Sequence, residues 1–146
     1  MKPPAVTENT LGAWLVKASP ANLPVAELLR DGFASVTSRC VRPTYRVDLV
    51  AAGQPVLLWV SGRDPRHSAG IYAAGETTGP AERGDELSMP VRLQAVEPPV
   101  RREEILAVPG LTDLEVLRMP AGSNPSYVDG AHYRTLRQAF PQLHIG

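Results

Sequence analysis

The stretch that decides the fold is PVLLWVSG, Pro55 to Gly62, in which every residue from Val56 to Val60 is apolar. Such a run, bounded by a proline and a glycine, is short for a buried helix and lacks the alternation of a half-exposed strand. It reads as a strand covered on both faces, and therefore as one near the middle of a sheet. After the charged loop RDPRHS, the segment AGIYAAGET, Ala69 to Thr77, supplies a second strand. Its Gly70 and Gly75 permit a bend or a close approach by another backbone. The two strands form a hairpin-like pair.

Upstream, GAWLVKA carries the apolar run Trp14, Leu15 and Val16 and is expected to be a buried strand ending at Lys17. SPAN is a turn in which Asn22 can cap a short helix built on Val25, Leu28 and Leu29, with Gly32 ending it in the left-handed conformation. The polar text from Phe33 to Pro43 suggests a loop leading into one short edge strand. In YRVDLVAAG, Tyr45 to Gly53, the alternation suggests a strand and the Ala-Ala-Gly ending a helix stop; periodicity alone leaves both open. Downstream, MPVRLQAVE alternates like a strand and RREEILAV is a short helix bracketed by prolines. Leu114 to Met119 is expected to be a strand. The last segment, VDGAHYRTLRQAF, is an amphipathic helix capped by Asp129, with Tyr133, Leu136 and Phe140 on one stripe.

This pattern has no βαβ alternation. It predicts a mainly β protein with peripheral helices (α+β), a bent, partly open barrel of five or six mostly antiparallel strands. The 146 residues are expected to form a single domain, 1–146, with 1–10 and 141–146 as flexible tails.

Composition narrows the function classes. The 15 basic and 15 acidic residues cancel, which excludes a protein coated in positive charge that grips nucleic-acid backbone from every side. Fifteen prolines, about twice the usual share, and 12 glycines leave little room for long helices. Cys40 is the only cysteine, so neither an intrachain disulfide nor a cysteine-based zinc cluster is expected. The beginning, MKPPAVTENT, has no apolar h-region, and no run approaches the length of a membrane span; the expectation is a soluble cytoplasmic protein without a membrane partner. No P-loop, GxGxxG, GxSxG or HExxH is present, and His67, His132 and His144 are not spaced for a metal. No metal, cofactor or catalytic residue is assigned.

Charge is unevenly distributed. Arg39, Arg42, Arg46, Arg63 and Arg66 face only Asp48 and Asp64 in their segment, whereas Glu76 to Glu115 is strongly acidic. A local basic face is thus compatible with zero net charge. Where the predicted strands run out into loops, Lys17 and Ser19 at one end and Trp59, Ser61 and Gly62 at another can converge on one cleft. The polar, proline-stiffened loop AGSNPSYV adds Ser123, Asn124, Ser126 and Tyr127.

Three segments in this order, GAWLVKASPAN, PVLLWVSG with SAGIYAAGETTG, and RMPAGSNPSYVDGAHYRTL, resemble the EVE domain of the PUA-like superfamily, which is related to the YTH domains. The resemblance spans roughly Gly12 to Phe140. It implies a PUA-like bent barrel and a pocket that takes a modified base out of nucleic acid, and it tips YRVDLVAAG toward a short helix. It also implies the pocket residues: Lys17, Ser19, Asn22, Phe33, Trp59, Ser61, Gly62, Ser123, Asn124, Ser126 and Tyr127. From the basic segment, Arg39, Arg42, Arg63 and Arg66 are expected to contact phosphates. FASVTSRCVRP departs from relatives, which often carry a tryptophan and an Arg-Asn-containing run there.

The expected function is a non-catalytic module for a modified, for example methylated, base in DNA or RNA. One alternative is a small PUA-like hydrolase of acylated nucleosides, with Lys17 as base beside Ser19. Another is a protein-interaction domain with a vestigial pocket.

Overall fold

The computed structural model describes residues 7, 9–18, 24–43, 45–61, 68–118 and 125–144. Strand β3 (Pro55–Val60) lies between β1 (Leu11–Ala18) and β4 (Gly70–Thr77), parallel to β1 and antiparallel to β4. Outward from this centre, the sheet runs from the edge strand β2 (Ser38–Cys40) through β6 (Leu87–Arg101), β4, β3 and β1 to β7 (Ser126–Asp129), and the two-residue β5 (Glu82–Arg83) pairs with β6. The central position expected of PVLLWVSG follows from burial. Val56, Leu58 and Val60 enter one core with Trp14 and Val16, while Leu57 and Trp59 enter a second with Leu15. None of the five is more than 5% exposed, and each large side chain so buried contributes about 1.5–3 kcal/mol.

The sheet is curled into an open half-barrel. Between β2 and β1 lie β6, β4 and β3, which in a flat sheet would hold the two strands about 19 Å apart. Yet Nη2 of Arg39 on β2 stands 3.5 Å from the Lys17 carbonyl on β1. Gly75 makes the close β4–β6 pairing possible, since a Cβ there would overlap the Arg92 carbonyl. The pairing shifts register between Ile71 and Ala73, where β6 bulges.

Helix α1 (Val25–Arg30) ends with Gly32 at φ 65°, as the sequence suggests, and Phe33 follows in the same left-handed region at φ 66°. The ambiguous YRVDLVAAG forms a 3-10 turn at Tyr45–Leu49. The Gln54 side chain ties that turn to the core: Nε2 donates to the Leu49 carbonyl, and Oε1 accepts from the Ala51 amide and from the Trp14 indole at 2.7 Å. Helix α2 covers Arg102–Leu106, and α4 (Gly130–Ala139) begins as expected at Asp129, which accepts from the His132 amide at 2.7 Å.

Three expectations are corrected. The strand expected over Leu114 to Met119 is absent from its described part: Glu115–Arg118 form helix α3, which turns Leu114 and Val116 into the second core and directs Glu115 toward Arg46, while Met119 lies outside the described residues. Ser126 to Val128, read as part of a loop, lie on β7 because they pair with the free edge of β1. Within the expected tail, Pro141–Leu143 make a second 3-10 turn that buries Leu143 at 3% exposure. Among the described residues, no helix is long and apolar enough to cross a membrane.

Candidate functional site

Strand direction gathers the candidate segments. β1 and β3 are parallel and stop together, Ala18 opposite Val60, and the Ser61 amide donates to the Ala18 carbonyl at 2.9 Å. β7 is antiparallel to β1, with Ser126 opposite Leu15, so it begins where β1 ends. Ala18, Ser61 and Pro125 therefore meet at one end of the sheet. In the chain they adjoin Ser19, Gly62 and Asn124, which lie outside the described residues together with Asn22, Arg63, Arg66 and Ser123.

Of the described candidates, Lys17, Trp59, Ser61, Ser126 and Tyr127 are brought to this end. Lys17 lies opposite Trp59 in the parallel register, so both project from the same face as the second core. Phe33 is fully buried in the first core, on the other face of the sheet. Phe33 and Trp59 thus do not face one space, and a base held between them is not compatible with this fold. The Ser61 hydroxyl oxygen is buried with no hydrogen-bond partner, as is Nε of Arg39. Such orphaned groups carry a desolvation cost that a ligand atom can offset.

The strongest polar contacts at this end come from a residue not among the candidates. Arg46, on the first 3-10 turn, makes a two-pronged pair with Glu115 of α3, Nη1 to Oε1 at 2.7 Å and Nη2 to Oε2 at 2.8 Å. Its Nη1 also donates to the Pro125 carbonyl at 3.0 Å, and its guanidinium carbon stands 5.0 Å from the centre of the Tyr127 ring. The Glu115 hydrogen bonds hold Arg46 even more firmly protonated than a free arginine. In the sequence Arg46 shows only as one of the basic segment, because its partner lies 69 positions away in a stretch that reads as a strand.

Burial lowers the Lys17 pKa; Glu115 opposes that effect and Arg46 adds to it. Burial also lowers the pKa of Arg39 and raises that of Tyr127, the latter with help from Glu115. Chemically, this end offers a partly desolvated ammonium, an unpaired hydroxyl and a second partly buried cation in Arg39. Glu115 is already engaged by both Arg46 nitrogens, so it is not poised as a general base.

Arg42 lies elsewhere. It borders a shallow groove of about 610 Å³ with Cys40, Arg83 and Glu86, which none of the pocket candidates lines. The Glu86 carboxylate accepts from the Cys40 thiol at 2.9 Å and raises its pKa. His132 lies between Asp113 and Asp129, 3.0 Å from each, but among the described residues no group of three or more His, Cys, Asp or Glu side chains is placed to hold a metal ion.

Fold and site together define a half-open, mainly β barrel in which Lys17, the unpartnered Ser61 hydroxyl and the Arg39 guanidinium lie at one end of the sheet. No protein-family model matches the chain, and no curated protein matches it. Solved structures do. The NMR structure of Rpa0253 from Rhodopseudomonas palustris superposes with a TM-score of 0.66 at 14% identity, over 92% of this chain and 97% of that one. A hypothetical protein from Leishmania major gives 0.66 at 15% identity, over 93% and 99%. Atu2648 from Agrobacterium tumefaciens gives 0.61 at 12%, over 87% and 92%. At these identities, the likeness is one of fold.

Proposed function

We propose that this chain is a non-catalytic module that binds a modified, for example methylated, nucleobase in DNA or RNA, as its resemblance to EVE domains implies. The observation that carries the reading is the meeting at one sheet end of Lys17 and the unpartnered Ser61 hydroxyl, with the Arg39 guanidinium 3.5 Å from the Lys17 carbonyl; Trp59 lies buried beneath them in the second core, and Tyr127 packs on the other face, against the first. An extruded base presents a flat π face and a polar edge, and the adjoining phosphates need only a few cations. In this assignment Lys17 and Ser61 read the base edge and Arg39 neutralises phosphate. Phe33 supports the site from the opposite layer and does not stack on the ligand.

Titrating the folded protein with methylated and unmodified DNA and RNA oligonucleotides at one fixed salt concentration tests this, since phosphate contacts make affinity salt-dependent. The expected outcome is tighter binding to a modified oligonucleotide, lost in Lys17→Ala. Absence of binding to every oligonucleotide overturns the reading.

One observation favours hydrolysis of an acylated nucleoside instead: burial keeps the Lys17 pKa low, which suits a general base. Turnover of acylated cytidine that disappears in Lys17→Ala would replace binding by catalysis.

A further inference from the structure

Among the described residues, Arg46 touches Glu115 of α3, the Pro125 carbonyl and the Tyr127 ring of β7, and within its own 3-10 turn the Tyr45 ring lies 6.0 Å away. Glu115 precedes residues 119–124 and Pro125 follows them, so a single guanidinium holds the chain on both sides of that segment. This requires the planar fork of arginine, with enough N–H groups to pair a carboxylate at two points and still donate to a carbonyl; a lysine ammonium offers only a point charge. The pair is well shielded, with side chains 21% and 11% exposed. By contrast, Arg92 and Glu76 meet at 3.5 Å with side chains 73% and 51% exposed.

We propose that Arg46 is the positioning residue of the site: by holding Glu115 and the Pro125 carbonyl together, it sets the start of β7, and with it Ser126 and Tyr127, relative to Lys17 on β1. Arg46 itself does not contact the ligand. The proposal rests on the base-binding reading for one arm of its test only, because its second readout needs no ligand.

That readout is the titration of the Lys17 ammonium. The chain has two lysines, Lys2 and Lys17, so lysine-selective isotope labelling gives two side-chain signals in an NMR pH titration. Arg46→Ala removes a like charge beside Lys17 and frees the Glu115 carboxylate toward it, so the Lys17 pKa rises. Glu115→Gln shifts it the other way. Arg46→Lys keeps the charge and leaves Lys17 near its original titration, yet it loses the two-pronged geometry. It therefore weakens binding of the preferred oligonucleotide by about tenfold, the equivalent of one well-made polar contact. Arg92→Ala, the exposed control, changes neither readout.

An unshifted Lys17 titration in folded Arg46→Ala, or wild-type affinity in Arg46→Lys, overturns the assignment. Should Arg46→Ala fail to fold, Glu115→Gln and Arg46→Lys carry the same test. If the wild-type protein binds no oligonucleotide, the base-binding reading fails, and the backbone amide NMR signals of Ser126 and Tyr127 decide the role of Arg46: they shift in Arg46→Lys if it sets the start of β7, and signals that stay in place overturn the assignment.

Discussion

At the centre of the sheet, β3 buries Val56 to Val60 between two apolar cores. At the corner where the first 3-10 turn, α3 and β7 meet, one guanidinium grips a carboxylate, a backbone carbonyl and an aromatic face. The centre is held by many non-directional contacts, any of which can be traded for another of similar volume. The corner is held by a few directional ones. The central strands therefore act as a scaffold that places three strand ends together, while the corner sets the geometry around Lys17. Apolar burial can decide where a cleft forms, but fixing the donors at its rim takes directional contacts.

The comparison can be broken most forcefully at the centre. Leu57 is 1% exposed, and Leu57→Ala should cost about 2–5 kcal/mol in denaturant unfolding, from lost burial and the cavity left behind. A loss below about 1 kcal/mol would mean that the second core collapses around the gap and that β3 is not the rigid centre described. At the corner, Arg46→Ala should cost less, about 1.5–3 kcal/mol, the range for hydrogen bonds to charged groups. Unlike the Leu57 effect, it should be largely reproduced by Glu115→Gln, since both remove one pair. Additive losses in the double variant would show that the two side chains do not act as a unit.

The same contrast explains what was legible in the sequence. PVLLWVSG announced a central strand because burial on both faces leaves a run without alternation, and Gly75 was readable because only a residue without Cβ tolerates the Arg92 carbonyl so close. The edge strand β2 and the Asp129 cap were also visible, each being a local pattern. Glu115–Arg118 misled: Leu114 and Val116 alternate like a strand, but both turn into the second core from a single helical turn too short to show a period. β7 was hidden because a short strand pairing with a distant edge has no local signature beyond Val128. Of the site, Lys17, Trp59 and Ser61 stand out as residues at strand ends, which the parallel register of β1 and β3 brings side by side, whereas Tyr127 reads as part of a loop and packs on the other face. The separation of Phe33 and Trp59 onto opposite faces could not be read, since it depends on how the chain from α1 packs beneath the sheet. Nor could the Arg46–Glu115 pair, whose members are distant in sequence and belong to elements of a few residues each.

The smallest expected effect is one of pH, and it separates the two regions most cleanly. Tyr127 has its pKa raised above the usual 10.0 by burial, so as pH climbs past that value the unfolded chain releases the phenolic proton first and stability falls until the folded-state pKa is passed. Lys17 acts in the opposite sense. Its folded-state pKa lies below the usual 10.5, so between the two values the unfolded state holds a proton that the folded state has lost, and stability rises with pH in that window. Unfolding free energies measured from neutral to strongly alkaline pH should therefore fall less steeply in Tyr127→Phe than in the wild type, and more steeply in Lys17→Met. Leu57→Ala should lower the whole curve without changing its alkaline slope, because the centre contains no group that titrates there. An altered slope in Leu57→Ala would mean that the two regions are coupled in a way their contacts do not reveal, and unaltered slopes in both corner variants would mean that the fold shifts neither group.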